Sequence, residues 1–593
     1  MKWFLIFVTD NYRLNTKPDI QHIIRNELNF PNAYTTVGEH ACGFYSIAAT
    51  EPEYNIYLDD EIGIIGDIEI HNITELVGKL PDVQENNWAP EIIVKALYRK
   101  YGIQGVKYIA GEFSFVLMDF KEKATFLIRD HLGVKTLFWT KSSMGYFIAS
   151  DLFLLKKYFD FSRIDYGYFQ DFLDSGGFLD TSKTPYYHVF RVPAASIICL
   201  KGVMETNLRY WDLREVPEPV RYKDPYNYIE KFREIFEQAV SRRVSKSKRN
   251  AVLLSGGLDS SSIFVTAKKI QDIELKPFSA VFDRFQHCDE HELIEELLRK
   301  HKTSGSYVKM DNYLHFKGFP YNIPFSYEPA VSSLTFEFSY LLIQQASQEG
   351  FTNVLSGFAG DHLLTGSVYS IRDLLRKWNV KRAIQALTNH SIYTNTSALA
   401  NLKKYVIHAD VTADFYNRQS HHYRQFSRKV NHIRDYYKKE IYLQLQGTRT
   451  RIFLDRVIGA MFGCSVKHPF LDRQLIEFVY HLPVEYIYDP LFSKPILRAA
   501  FHEDLIPQIV NNVNKTTHVQ FTCKSIRENW EYISKLIENT FVVEELCLIS
   551  KEKWIDQLAK WRNGLEVTNN FYILLAIEAW MRNYYKKLES QYA

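Results

Sequence analysis

The feature that most constrains the fold is an alternation of short apolar runs with helix-periodic segments between residues 251 and 356. Residues 251–255 read as a buried strand and 260–269 as a helix. Residues 277–283, 306–310 and 353–356 read as further strands, with helices over 289–301 and 336–349. Such alternation implies a parallel, doubly wound α/β sheet that binds ligands at the carboxyl ends of its strands.

Ser255-Gly256-Gly257-Leu258-Asp259-Ser260-Ser261 fills the first strand–helix junction. Two glycines let the backbone approach an anion closely. Small hydroxyl residues leave N–H groups free at the helix start, where the dipole favours phosphate. Asp259 would repel that phosphate unless a cation lay between them, which argues for Mg²⁺ on a triphosphate. The lysine of a Walker loop is absent, so γ-phosphate transfer is not implied. The plainer alternative is a Gly-Gly turn with a serine N-cap. The candidate ATP-binding residues are Leu253, Ser255, Gly256, Gly257, Leu258, Asp259, Ser260 and Ser261, with Val281, Ser356 and Gly357 after the neighbouring strands.

At 593 residues the chain is too long for one core. Residues 1–150 alternate short apolar runs with turns. Residues 110–120, 124–129 and 145–149 read as strands and 92–101 as a helix, giving an α+β domain on antiparallel sheets. Residues 151–225, rich in Tyr, Pro and Gly, read as a connector, 226–245 as an amphipathic helix, and the chain beyond 367 as mostly helical. Domains are expected at 1–210 and 226–590. The apolar start, Trp3 to Val8, is interrupted by Thr9, Asp10 and Asn11, too soon for a signal peptide or a membrane span. It reads as a buried first strand. Six scattered cysteines form no CxxC pair, which fits reduced thiols in a cytoplasmic protein. His287 beside Cys288 is too little for a metal site.

A net charge of +3 gives no nucleic-acid footprint. One stretch departs from this balance: residues 368–451 hold sixteen Lys and Arg against five Asp and Glu, with His421, His422, Tyr423, Tyr436 and Tyr437. That combination suits an acidic or aromatic peptide, or else forms a solvated helical face.

Several segments resemble the asparagine synthetase family. The loop at 255–261 is similar to the SGGxDS pyrophosphatase loop of N-type ATP pyrophosphatases, which cleave ATP to AMP and pyrophosphate. Ser356-Gly357-Phe358-Ala359-Gly360-Asp361 resembles the family's SGxGxDE segment, and Lys467-His468-Pro469-Phe470-Leu471-Asp472 its RVPFLD segment. Ser493-Lys494-Pro495-Ile496-Leu497-Arg498 followed by Lys515 resembles its paired-lysine region, and Glu328-Pro329 falls where many members carry DEP. The resemblance covers roughly 226–580. It implies that Asp259 and Asp361 hold Mg²⁺, that Lys494 and Lys515 grip the pyrophosphate as catalytic residues, and that Glu328, Phe358 and His362 line the substrate side. A solvated lysine and a helix N-cap are the plainer alternatives for Lys494 or Lys515 and for Asp361.

The first half resembles class II glutamine amidotransferase domains, of the Ntn fold, through Gly111-Glu112-Phe113-Ser114-Phe115, Arg129-Asp130-His131-Leu132-Gly133-Val134-Lys135 and Ala149-Ser150-Asp151. An Ntn-type α+β sandwich is therefore expected, but without the chemistry. Those domains use an N-terminal cysteine whose own α-amine is the base. Residue two here is Lys2, and the nearest cysteine, Cys42, is internal. The family's NGEIYN segment reads Asp67-Ile68-Glu69-Ile70-His71-Asn72, and its Asp–x–Glu reads Ala89-Pro90-Glu91.

An amidotransferase fold without glutaminase implies another amine. The family has two such branches, one closing β-lactam-type rings and the other the lasso-peptide cyclases. Phe358 stands where the first carries Tyr and where asparagine synthetase carries Glu, and His362 stands where asparagine synthetase has a second Glu. A peptide α-amine, with a pKa near ~8, needs little help from a base. The reading that results is a lasso-peptide cyclase using ATP and Mg²⁺. It adenylates an Asp or Glu side chain of a precursor peptide for attack by the peptide's N-terminal amine. The expected partners are that peptide, a leader-peptide recognition protein and a protease. Asparagine synthetase, a β-lactam-type small-molecule ligase and a non-catalytic ATP- or peptide-binding scaffold remain open.

Overall fold

The computed structural model describes residues 3–9, 33–40, 43–50, 55–80, 88–155, 162–177, 182–202, 204–218, 221–324, 326–416, 418–512, 518–565, 567–568 and 570–592. The chain divides into two compact units, Met1–Tyr168 with Asp180–Glu215, and Phe169–Leu179 with Val216–Ala593.

The first unit is an α+β sandwich of two six-stranded antiparallel sheets. One carries β1 (Phe4–Thr9), β2 (Ala33–His40), β3 (Gly43–Thr50), β8 (Phe138–Lys141), β9 (Tyr146–Ala149) and β10 (Val189–Arg191), in the order β10-β8-β9-β1-β3-β2. The other carries β4 (Asn55–Leu58), β5 (Ile62–Ile70), β6 (Gly111–Asp119), β7 (Ala124–Arg129), β11 (Ser196–Lys201) and β12 (Met204–Arg209), in the order β12-β11-β7-β6-β5-β4. Period-two patterning makes β6 serve two cores. Val116 and Met118 pack with Phe4, Ile6 and Ile148 between the sheets, while Phe113, Phe115 and Leu117 pack with Ile93, Val94 and Leu97 of the helix Pro90–Tyr101. The first strand is buried, as its apolar run requires. The connector reading of 151–225 is corrected: β10, β11 and β12 lie within it and complete both sheets, and the helix Tyr166–Asp174 precedes them. These strands are only 3 to 6 residues long, and β12 is exposed throughout, so no apolar run marks it.

The second unit holds a five-stranded parallel sheet, ordered β15-β14-β13-β16-β17, with β13 (Asn250–Leu253), β14 (Leu275–Val281), β15 (Ser306–Lys309), β16 (Asn353–Ser356) and β17 (Ser465–Lys467). The strand order reverses at β13, which makes it the topological switch point. Helices Leu258–Lys268, His291–Lys300 and Glu337–Gln348 fall within two residues of the expected spans. Among the described residues beyond 360, the regular elements are helices apart from β17, whose three residues show no strand pattern in the sequence. Its neighbour, the helix Tyr436–Met461, packs against the sheet through Leu454 and Ile458.

Candidate active site

The register Leu253↔Ser356 brings β13 and β16 to their ends side by side, so the loops that follow leave the sheet at one level. After β13, Gly256 takes φ +75° and Gly257 caps the helix Leu258–Lys268 without any side-chain bond. The serine cap of the plainer reading is absent. Ser260 instead turns back: its Oγ lies 3.0 Å from Ser255 Oγ and accepts the Ser255 N–H at 3.1 Å. The helix start therefore keeps N–H groups that no capping side chain consumes, the arrangement that receives an anion. Ser261 is fully buried and turned into the unit's core. Val281 ends β14, and its carbonyl accepts the Met310 N–H at 3.0 Å.

After β16, Ser356 Oγ accepts the Phe358 N–H at 3.3 Å, and Ala359 takes φ +75° to start the helix Gly360–Leu364. Asp361 lies inside that helix, so it is not the N-cap. Gly360 is required by proximity, since a Cβ there would stand 2.4 Å from Asp259 Cγ. Two short loops thus press Asp259 and Asp361 together. Lys494 joins them, with Nζ 2.5 Å from Asp259 Oδ2 and 2.7 Å from Asp361 Oδ1. Burial would lower the Lys494 pKa, but attraction by both carboxylates outweighs it and holds the ammonium above its ordinary range. Lys494 itself has φ +58° and stands before Pro495, the first residue of the helix Pro495–Phe501.

Two carboxylates at the mouth of an anion-receiving loop fit Mg²⁺, which is commonly held by one or two protein carboxylates plus substrate phosphates. No group of three or more His, Cys, Asp or Glu assembles among the described residues, so an all-protein metal cage is not on offer there. Asp259 and Asp361 are the residues that would hold the ion. Lys515 lies outside the described residues. The chain leading to it is tied down by Arg498, which donates to Ser493 O at 2.6 Å and to Asn512 O at 2.8 Å.

Phe358 lies three residues before Asp361 and His362 directly after it, with their rings 5.1 Å apart. Behind Phe358 lies a group that sequence reasoning missed. His468 sits 5.8 Å from the Phe358 ring and bonds Asp455 Oδ2 through Nε2 at 3.0 Å, while Arg451 Nε bonds Asp455 Oδ1 at 2.8 Å. Its signal was the histidine before Pro469-Phe470-Leu471-Asp472. Glu328 is 1% exposed in the loop that follows β15.

In the first unit, Lys135 fills the place between the acidic residues of β5. Its Nζ lies 2.8 Å from Asp67 Oδ2 and 3.0 Å from Glu69 Oε1. Its loop is strapped: Asp130 accepts the N–H groups of Leu132, Val134 and Lys135, and Arg129 donates to the carbonyls of Gly133, Lys135 and Val192. Glu91 accepts from Asn55 Nδ2 at 2.8 Å. Lys2 and Cys42 lie outside the described residues.

A phosphate-type loop, a carboxylate pair and a bridging lysine at a parallel sheet's switch point define a nucleotide-activating class of site. The chain matches the asparagine synthase family over residues 231–582 and the glutamine amidotransferase domain over 55–211. It belongs to the asparagine synthase family, whose members are ATP-dependent amide ligases. Asparagine synthetase (glutamine-hydrolyzing) 3 of Bacillus subtilis is 23% identical over 566 residues, 86% of each chain. Amidase chry2 of Gibberella zeae is 32% identical over 176 residues, 29% of this chain and 25% of that protein. A putative asparagine synthetase (glutamine-hydrolyzing) 2 of Methanocaldococcus jannaschii is 27% identical over 237 residues, 38% of this chain and 45% of that one. The match thus spans about a quarter of chry2. No helix among the described residues is long and apolar enough to cross a membrane.

Proposed function

We propose that this chain is an ATP-dependent amide ligase of the lasso-peptide cyclase kind, acting on a peptide without help from glutamine. The observation that carries the ligase reading is Lys494 held between Asp259 and Asp361 beside the 255–261 loop. A side-chain carboxylate oxygen of the peptide's Asp or Glu attacks the α-phosphate of ATP, and pyrophosphate leaves. The peptide's N-terminal amine then attacks the acyl carbonyl. The carbonyl–phosphate bond breaks, AMP leaves with its electron pair, and the amine loses its proton to give a macrolactam. Mg²⁺ on the phosphates would neutralise charge that builds on the leaving group. Lys494, and Lys515 on the sequence pattern, stabilise the same charge. Phe358 offers no proton acceptor, which suits an α-amine already near its pKa.

Glutamine independence draws support from Lys135, whose ammonium occupies Asp67 and Glu69. A leader-peptide recognition protein and a protease complete the proposed setting. One observation favours a second reading, asparagine synthesis: the Bacillus subtilis relative bearing that name aligns over 86% of both chains.

The test is a peptide with a free N-terminus and an internal Asp or Glu, given with ATP and Mg²⁺. The expected product is lighter than the peptide by one water, with AMP and pyrophosphate released. An N-acetylated peptide should still drive some pyrophosphate release but give no ring. Ring formation from the acetylated peptide contradicts the amine assignment, and asparagine formed from aspartate and ammonia supports the second reading.

A further inference from the structure

The stretch between Asp373 and Asp410 contains six Lys and Arg and no Asp or Glu. It folds as the end of the helix Ser370–Arg376, the helices Val380–Thr394 and Ala398–Leu402, and a short π-helical turn, Lys403–Ile407. The longest of these helices buries little apolar bulk. Its fully buried residues are Ala383 and Ala386, 2% and 1% exposed; Leu387 is half-buried, Asn389 Nδ2 donates to Pro490 O at 3.0 Å, and the His390 ring meets Tyr405 at 5.1 Å. Asn401 closes the hairpin by donating to Ser391 Oγ at 2.9 Å and to Thr396 Oγ1 at 2.8 Å. The large apolar residues face outward instead. Val380, Ile384 and Ile392 lie at spacings of four and eight on the helix, and Leu399 and Ile407 continue beyond it, all exposed.

Two aromatic residues stand out furthest. Trp378 is 88% exposed and Tyr393 is 90% exposed, at the two ends of the helix. Trp378 holds φ +60°, in the left-handed region that a side-chain-bearing residue rarely adopts. That conformation closes the helix Ser370–Arg376, with the Trp378 N–H on Leu375 O at 3.0 Å and the Asn379 N–H on Leu374 O at 2.9 Å, but the cap does not require a large exposed ring at this position. Apolar side chains exposed together on one hairpin are the kind of surface that serves as an interaction site.

We infer that the 378–407 hairpin is a docking surface for an anionic lipid membrane, into whose interface Trp378, Ile392, Tyr393 and Leu399 insert while Lys377, Lys381, Arg382, Lys403 and Lys404 meet the headgroups. The segment's own charge is one-signed, as attraction to an anionic surface requires, although Lys377 also lies 3.6 Å from Glu485 Oε2. Trp and Tyr are the residues that settle at headgroup level, and aliphatic side chains between flanking cations are the pattern of interfacial helices. The apolar groups project outward, which favours a deformable lipid surface over the groove of a protein partner. This inference is independent of the ligase reading, and it adds a peripheral attachment to a chain without a spanning helix among its described residues.

The test is flotation of the full-length protein with vesicles of phosphatidylcholine alone and of phosphatidylcholine mixed with phosphatidylglycerol. Binding is expected to the mixed vesicles only, and to fall as salt is raised. The triple variant Trp378→Ser, Ile392→Ser, Tyr393→Ser should lower partitioning by about tenfold or more, and so should the pair Lys381→Glu, Arg382→Glu. Both variants should keep the wild-type melting temperature, because every altered side chain is at least partly solvent-exposed. Equal partitioning of wild type and triple variant overturns the proposal. So does binding of the wild-type protein to soluble polyglutamate without uptake onto either vesicle, which would reassign the surface to an acidic protein.

Discussion

Lys494 and Lys135 make the same local picture in two different backbones. Each ammonium sits between two carboxylates at 2.5–3.0 Å. Lys494 faces loops opened by Gly256, Gly257, Gly357 and Gly360, next to a helix start with no side-chain cap. Lys135 faces the flank of an antiparallel strand, and its loop is fastened by Arg129 and Asp130. The difference lies in what else can enter. At Lys494 a phosphate has backbone donors to meet it, so the carboxylates can trade ammonium for a metal and its nucleotide. At Lys135 nothing in the strand offers an anion a seat, and the ion pair acts as a plug. A charge triad does not define chemistry; the backbone beside it does.

Breaking the first triad should have the largest effect. Asp259→Asn and Asp361→Asn should each cut pyrophosphate release by at least about 10³-fold while the protein stays folded, because Lys494 keeps its other carboxylate partner in each variant. A soluble variant that releases pyrophosphate near the wild-type rate removes that carboxylate from the site. Lys494→Met should cost about 10²–10³ in kcat with little change in the KM for ATP, since its charge matters most when negative charge peaks. A rise in KM alone would make Lys494 a ground-state anchor.

The second triad should respond in the opposite way. Lys135→Met should leave pyrophosphate release intact and destabilise the first unit by about 3 kcal/mol in denaturant unfolding, because Asp67 and Glu69 lose their partner. Burial alone would lower the Lys135 pKa, but Asp67, Glu69 and Glu112 outweigh it and hold it well above the ordinary range. A lysine whose pKa is raised on folding contributes stability that is complete below its unfolded pKa, about 10.4, and is lost as pH rises through the folded value. The gap between wild type and variant should thus be constant from pH 6 to about 9 and shrink only in strong alkali. Loss of ligase activity in this variant would blur the contrast between the two sites.

Phe358→Tyr should have the smallest effect, with a change below about threefold in pyrophosphate release, since the ring's place against His362 and His468 is kept. A tenfold gain in rate would mean that the pocket is arranged around a phenol, as in the β-lactam-type branch.

What was legible in the sequence followed strong local patterns. The strands and helices between 250 and 356 carry apolar runs and periodic faces, and their ends were readable to about two residues. The 255–261 loop was readable from its own glycines and Asp259, and Asp361 from the resemblance of residues 356–361 to a family segment. β12 and β17 were not, because an exposed strand and a three-residue strand have no apolar pattern of their own. Lys135 reads as an ordinary lysine until the fold brings it against residues 66 and 68 positions earlier. The joining of Asp455 to His468 likewise depends on a helix packing beside β17. The strands were hidden by a missing apolar pattern, and the two ion pairs by contacts that only the fold creates.

On the proposed function, the second unit activates a carboxylate and the first hydrolyses no glutamine. The direct measurement follows glutamate and pyrophosphate together in one reaction containing protein, ATP, Mg²⁺, peptide and glutamine. Pyrophosphate should appear with peptide at the same rate whether or not glutamine is present, and glutamate should stay at the level of a protein-free control. Glutamate released in step with pyrophosphate, or pyrophosphate that depends on glutamine, would contradict the account.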